Sequence, residues 1–261
     1  MDKTTQSPPI ILNVINLTKA FKGLLALNNV NLELFTGEIQ GIIGPNGAGK
    51  TTLFNCLTGT QSPTSGEIIF NGKQIGGLPT TTTTKLGIAR TFQNIKLFGK
   101  LTVLDNVRVA QQLRTTFNLA EVFSGVPSFW RKEQSIRDSA FELLDTFDLL
   151  DVWDQTASNL PYGAQRRLEM ARALATQPQI LLLDEPAAGM NETETDVLHQ
   201  MISRVRERFK VSIILVEHDM RLIMNLCERI TVLSYGEVIA RGTPADIRGN
   251  QTVIEAYLGK N

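Results

Sequence analysis

The sequence predicts an α/β fold with a mostly parallel sheet, preceded by an antiparallel β portion and interrupted by a helical insertion. Three observations carry this. The short apolar runs 39–43, 180–183 and 211–216 alternate with helical patterns, as buried parallel strands do. Ahead of them, residues 10–34 alternate apolar and polar side chains around the turn-like stretches Phe21-Lys22-Gly23 and Asn28-Asn29. From Val103 to about Leu150 the pattern becomes helical, as in 103–110 and 136–144, with a looser piece at 123–130.

Taken in order, 39–43 is a strand that ends in Gly44, 51–57 a helix, and 66–72 (GEIIFNG) a strand bounded by turns. The five threonines 80–84 are poor helix material by their branching and are expected as a surface stretch. A helix runs from Gln165, with Leu168, Ala171, Arg172 and Ala175 at helical spacing; Pro161-Tyr162-Gly163 leads into it. That helix start is expected to leave its first N–H groups open to an anion. Further strands follow at 230–234 and 238–240.

The bulk properties set limits. The 261 residues are 42% hydrophobic and 20% charged, enough for one sizeable domain, and 26 basic residues balance 26 acidic ones. Such a balance predicts no nucleic-acid partner. Cys56 and Cys227 lack metal-like spacing and read as two unpaired thiols in a reducing compartment. Neither a signal peptide nor an apolar stretch of the roughly 18 residues that span a bilayer is expected.

The strongest chemical signal is GPNGAGKTT at 44–52, lying between a strand and a helix as a phosphate-binding loop requires. Backbone N–H groups of Asn46, Gly47, Ala48 and Gly49 would wrap phosphates. Lys50 would reach the β- and γ-phosphates and the Thr51 hydroxyl Mg²⁺, with Thr52 beside it. In ILLLDEPAAG, at 180–189, an apolar strand ends in Asp184 and Glu185, suited to Mg²⁺ through its water shell and to water activation respectively. In VSIILVEHDM, at 211–220, another apolar strand ends near His218, a candidate partner for the γ-phosphate or the attacking water. His199 lies within a helical pattern and reads as structural.

These residues resemble the ATP-binding subunits of ABC transporters, over nearly the whole chain. The resemblance implies a P-loop NTPase (RecA-like) core, at 10–93 and 170–240, a helical subdomain at 94–169 and a C-terminal tail at 241–261. It implies ATP and Mg²⁺ as ligands, with Phe21 stacking on adenine and Gln93, in RTFQN, sensing Mg²⁺ and a membrane partner. Residues 160–165 are similar to the family's signature, usually Leu-Ser-Gly-Gly-Gln, with Tyr162, Gly163, Ala164 and Gln165 acting on a partner's ATP across a head-to-tail dimer. Residues 187–191 match the D-loop, and His218 the switch histidine.

The chain departs from the pattern at Pro161, which replaces the signature serine, at Tyr162, which replaces the first glycine, at Ala164, and at Asn191, where aspartate is usual. LPYGAQRRLEMARALA, EPAAGMN and the ending GTPADIRGNQTVIEAYLG resemble the branch that powers import of branched-chain or other hydrophobic amino acids. That branch implies a second, different ATP-binding subunit, two membrane permeases and an extracytoplasmic solute-binding protein, with this chain on the cytoplasmic face of the membrane. An importer for another small solute such as urea, and a non-transport ABC ATPase, stay open at this point.

Overall fold

The computed structural model describes residues 8–114 and 127–258. Ten strands lie in two sheets among these residues. Strands β1 (Ile10–Phe21), β2 (Leu24–Phe35), β4 (Ser65–Phe70) and β5 (Lys73–Gln74) form an antiparallel sheet ordered β2-β1-β4-β5. The second sheet joins β3 (Ile39–Ile43), β6 (Ile88–Arg90), β7 (Ile180–Asp184), β8 (Ser212–Val216), β9 (Arg229–Ser234) and β10 (Glu237–Gly242). Its order is β10-β9-β3-β8-β7-β6, and only β10 runs antiparallel to its neighbour.

Every residue of β3, β7 and β8 is buried because both faces of this sheet are covered. Alternate side chains enter two separate cores. Ile39, Ile43, Leu181, Leu183, Ile213 and Leu215 pack with the helices on one side. Ile42, Leu182, Ile214 and Val216 pack with the antiparallel sheet and with helix α1 (Lys50–Leu57) on the other. Cys56 and Cys227 are buried free thiols, one in each core.

Three local expectations are corrected. Asn28-Asn29 is a bulge inside β2, not a turn. One residue of β1, Thr18, faces both asparagines, Asn29 takes φ +48°, and its N–H donates to Thr18 Oγ1 (3.1 Å). The threonine run is helix α2 (Thr80–Leu86), because its hydroxyls satisfy carbonyls one turn back. Thr84 Oγ1 donates to Thr80 O (2.8 Å), and buried Thr83 donates to Thr58 O (2.8 Å), pinning α2 to the end of α1. The looser piece is helical from Pro127 onward, in α4 (Pro127–Thr146), which follows α3 (Val103–Gln111). Phe117 and Phe123 lie outside the described residues, as does the side chain of Phe129.

Candidate functional site

Sheet register levels the C-terminal ends of the parallel strands. Ile42, Val216 and Asp184 lie side by side across β3, β8 and β7, and Arg90 of β6 pairs with Leu182. The segments that leave these ends carry Lys50, His218, Glu185 and Gln93, so one crevice receives all four. Gly44, at φ +152°, has room for no side chain, since a Cβ would stand 2.0 Å from Leu233 O. A Cβ on Gly49 (φ +105°) would meet Ala26 O of β2 at 2.6 Å. Phe21 is 39% exposed and pairs with Leu24, two residues along the ribbon from Ala26. Its ring carries Lys19 Nζ 4.9 Å from the centroid.

Buried Lys50 donates to Gly44 O (2.6 Å) and Pro45 O (3.1 Å). Burial pushes its ammonium below the usual lysine range, and the charges of Glu185 and Asp184 pull it back up. Both oxygens of Glu185 are taken. Gln93 Nε2 donates to Oε2 (2.8 Å) and His218 Nε2 to Oε1 (2.9 Å). A carboxylate only accepts, so in this arrangement the imidazole proton sits on Nε2. Glu185 itself has φ +47°, a left-handed backbone that costs a non-glycine residue about 1 kcal/mol or more and that clusters at functional sites.

Sequence reasoning missed four charged residues here. Arg90 pairs with Asp184 Oδ2 (2.6 Å), both side chains being buried, and also donates to Asn55 Oδ1 (2.7 Å). Arg166 donates to the carbonyls of Phe92 (2.6 Å) and Gln93 and pairs with Glu169 Oε2 (3.2 Å). Glu169 Oε1 accepts from the N–H groups of Phe92 and Lys96 (both 3.3 Å), so this buried pair clamps the glutamine loop to the helix that carries it. Glu217 accepts from Ala187 N (2.7 Å) and His218 N (2.8 Å). Apart from the Arg166–Glu169 pair, three residues apart, these contacts join residues far apart in sequence or use backbone partners, and neither leaves a local pattern to read.

The helix that carries Arg166, α5 (Tyr162–Leu174), starts without a side-chain cap. Its first backbone bond is Gln165 N to Pro161 O (3.0 Å), and the N–H groups of Tyr162, Gly163 and Ala164 have no partner among the described residues. Gln165 Nε2 donates back to Leu160 O (2.9 Å). Tyr162 turns its ring onto the loop that follows β7, with Cε1 3.5 Å from where a Cβ of Gly189 would stand. Its hydroxyl accepts from Arg166 Nε (3.2 Å). Gly163 admits this chain's own Glu194, whose Oε1 would lie 3.4 Å from a Cβ there. Asn191 caps helix α6 (Glu192–Phe209) in a capping box with Glu194.

The oxygen donors fit a hard divalent cation brought in with phosphates. Asp184 Oδ1 and the Thr51 hydroxyl have no protein donor or acceptor among the described residues, and both lie at the crevice. A cleft of about 610 Å³ opens beside it, lined by Arg90, Phe92, Phe98, Val109, Leu113 and Arg172. Among the described residues no helix is long and apolar enough to cross a membrane.

Comparison with known proteins agrees with this geometry. The family described as ABC transporter matches residues 27–188, and the family described as branched-chain amino acid ATP-binding cassette transporter matches 237–261. The chain is 48% identical to the high-affinity branched-chain amino acid transport ATP-binding protein LivG of Escherichia coli, over 96% of this chain and 98% of that one. It is 45% identical to BraF of Pseudomonas aeruginosa, of the same description, over 96% and 98% of the two chains. Identity to the lipopolysaccharide export system ATP-binding protein LptB of Haemophilus influenzae is 32% over the same shares. Among solved structures, the ADP conformation of the ABC transporter cassette MJ1267 matches with TM-score 0.84 and 28% identity, over 97% of this chain and all of that one. The dimeric, ADP- and phosphate-bound cassette MJ0796 matches with TM-score 0.76 and 28% identity, over 89% and 98%.

Proposed function

The chain belongs to the ABC transporter family as one of its ATP-binding, ATP-hydrolysing subunits, and from that premise we propose that it powers uptake of branched-chain and other hydrophobic amino acids. The observation that carries the site reading is the closed set Gln93–Glu185–His218 at the level strand ends. The names of the relatives at 45–48% identity support the substrate class.

In this reading the triphosphate displaces the carbonyls of Gly44 and Pro45 from Lys50 and lies along the N–H groups of Asn46, Gly47, Ala48 and Gly49, with Thr52 beside it. Phe21 stacks on the base. The Thr51 hydroxyl, Gln93 and Asp184 would hold Mg²⁺, which would supply positive charge to the phosphates. Arg90 fixes the orientation of Asp184. The γ-phosphate draws His218 Nε2 off Glu185 and frees Oε1 for water. Glu185 then accepts the water's proton as the oxygen attacks phosphorus and ADP leaves.

Tyr162, Gly163, Ala164 and Gln165 serve the ATP of the opposite subunit through the open start of α5. Pro161 supplies neither a hydroxyl nor an N–H, which favours a second, different ATP-binding subunit as partner. The insertion that begins at 94, with the cleft beside Phe98, receives one of two membrane permeases. In this reading the chain lies on the cytoplasmic face, and an extracytoplasmic solute-binding protein delivers the amino acid.

Uptake assays in cells that lack the chain test this. Leucine, isoleucine and valine uptake is expected to fall and to return with the wild-type chain but not with Lys50→Ala. Unchanged uptake of these three, with loss of urea or another small solute, would overturn the substrate class.

A further inference from the structure

We propose that Glu217 is a positioning residue that ties the D-loop of this chain to its own switch histidine, so that the two move as one piece. Glu217 is 4% exposed and follows the end of β8. Its Oε1 accepts from the Ala187 N–H at 2.7 Å. Its Oε2 accepts from the His218 N–H at 2.8 Å and, more weakly, from the Asp219 N–H at 3.4 Å. Three backbone donors thus converge on one buried side chain from two segments 30 residues apart.

Only a carboxylate meets this demand. Both oxygens must accept, whereas an amide would set an N–H against one of the donors. A threonine at this position would reach the neighbouring N–H groups but fall short of Ala187. Burial pushes this carboxyl up, and the three N–H groups draw it back down.

Both anchored segments lead elsewhere in the molecule. Ala187 opens the loop that runs through Gly189, against which Tyr162 packs, to the capping residue Asn191. His218 holds Glu185. A shift of His218 toward phosphate therefore pulls Ala187 through one rigid side chain, and through Gly189 it bears on the start of α5. The coupling runs from this chain's own ATP to the surface that faces its partner. It rests on the ATPase site reading above.

The test uses the assembled transporter with Glu217→Gln, His218→Ala and the double variant, measuring ATP binding with a fluorescent ATP analogue and steady-state turnover. Glu217→Gln is expected to lower kcat about 10–100-fold, as misplacement of a catalytic group does, with KM and ATP affinity held within about twofold. Adding Glu217→Gln to His218→Ala is expected to cost nothing further, because both losses pass through the same imidazole. An unchanged kcat, a loss confined to KM, or losses that multiply in the double variant would overturn the proposal. Should Glu217→Gln fail to fold, Glu217→Thr carries the same expectation; failure of both would make the role one of stability and overturn it as well. Wild-type turnover in a Lys50→Ala complex is the separate result that would sink the site assignment itself.

Discussion

The strand-end crevice and the start of α5 are built in opposite ways. In the crevice the charged side chains already have protein partners. Gln93 and His218 hold Glu185, Arg90 holds Asp184, and two carbonyls hold Lys50. At the start of α5, three backbone N–H groups have no partner among the described residues, and no side chain caps them. The first region is a closed set. The second is left open, and an open helix N-terminus favours an anion there by roughly 0.3–2 kcal/mol.

The largest expected effect separates chemistry from binding inside the crevice. Glu185→Gln should lower turnover about 10²–10⁴-fold while leaving ATP affinity nearly intact, because only the proton acceptor is neutralised. Lys50→Ala should instead weaken ATP binding itself, by removing the cation from the phosphates. Binding titrations beside steady-state rates check the division, and equal losses of affinity in both variants would erase it.

A smaller effect sharpens the contrast between the two regions. Paired with a subunit that keeps a signature serine, this chain makes two unequal sites. The site that lacks the serine hydroxyl forgoes a hydrogen bond to a charged group, worth roughly 1.5–3 kcal/mol, part of which the backbone N–H groups recover. More turnover should therefore pass through the site that contains this chain's Glu185. Removing the catalytic glutamate from one subunit at a time measures it, and equal residual rates, or function as a homodimer, would refute it.

The smallest effect concerns the scaffold between the regions. Asn191→Ala removes the capping box of α6 and should cost about 1 kcal/mol, read as a lower midpoint in denaturant unfolding. A midpoint equal to that of wild type would show that the cap contributes no stability.

Most of the scaffold was readable because its signals are local. The runs at 39–43, 180–183 and 211–216 are apolar but for Gln40 and Ser212, and they are the strands buried on both faces. The phosphate loop and the carboxylates Asp184 and Glu185 follow such runs directly. The threonine helix was not readable, since its stability comes from hydroxyls bonded to carbonyls, one of them on another helix. Arg90, Arg166, Glu169 and Glu217 stayed hidden for a related reason: the contacts that bring them to the site reach backbone groups or side chains 94, 74, 77 and 30 positions away. The left-handed backbone at Glu185 likewise has no sequence signature, because glutamate does not favour that conformation.

The burial of the two thiols has a practical consequence for labelling chemistry. Burial pushes Cys56 up to about 11, with the Lys19 charge opposing only in part, and raises Cys227 as well. At neutral pH the thiolate, the form that attacks maleimides and disulfides, is then a small minority at Cys56. Both side chains are also almost sealed from solvent. A single cysteine introduced at exposed Phe98 or Trp130 would thus be the reactive thiol among the described residues, in an otherwise natural chain. Spectroscopic or crosslinking labels could follow the surroundings of Phe98 or Trp130 without first stripping out native sulfur.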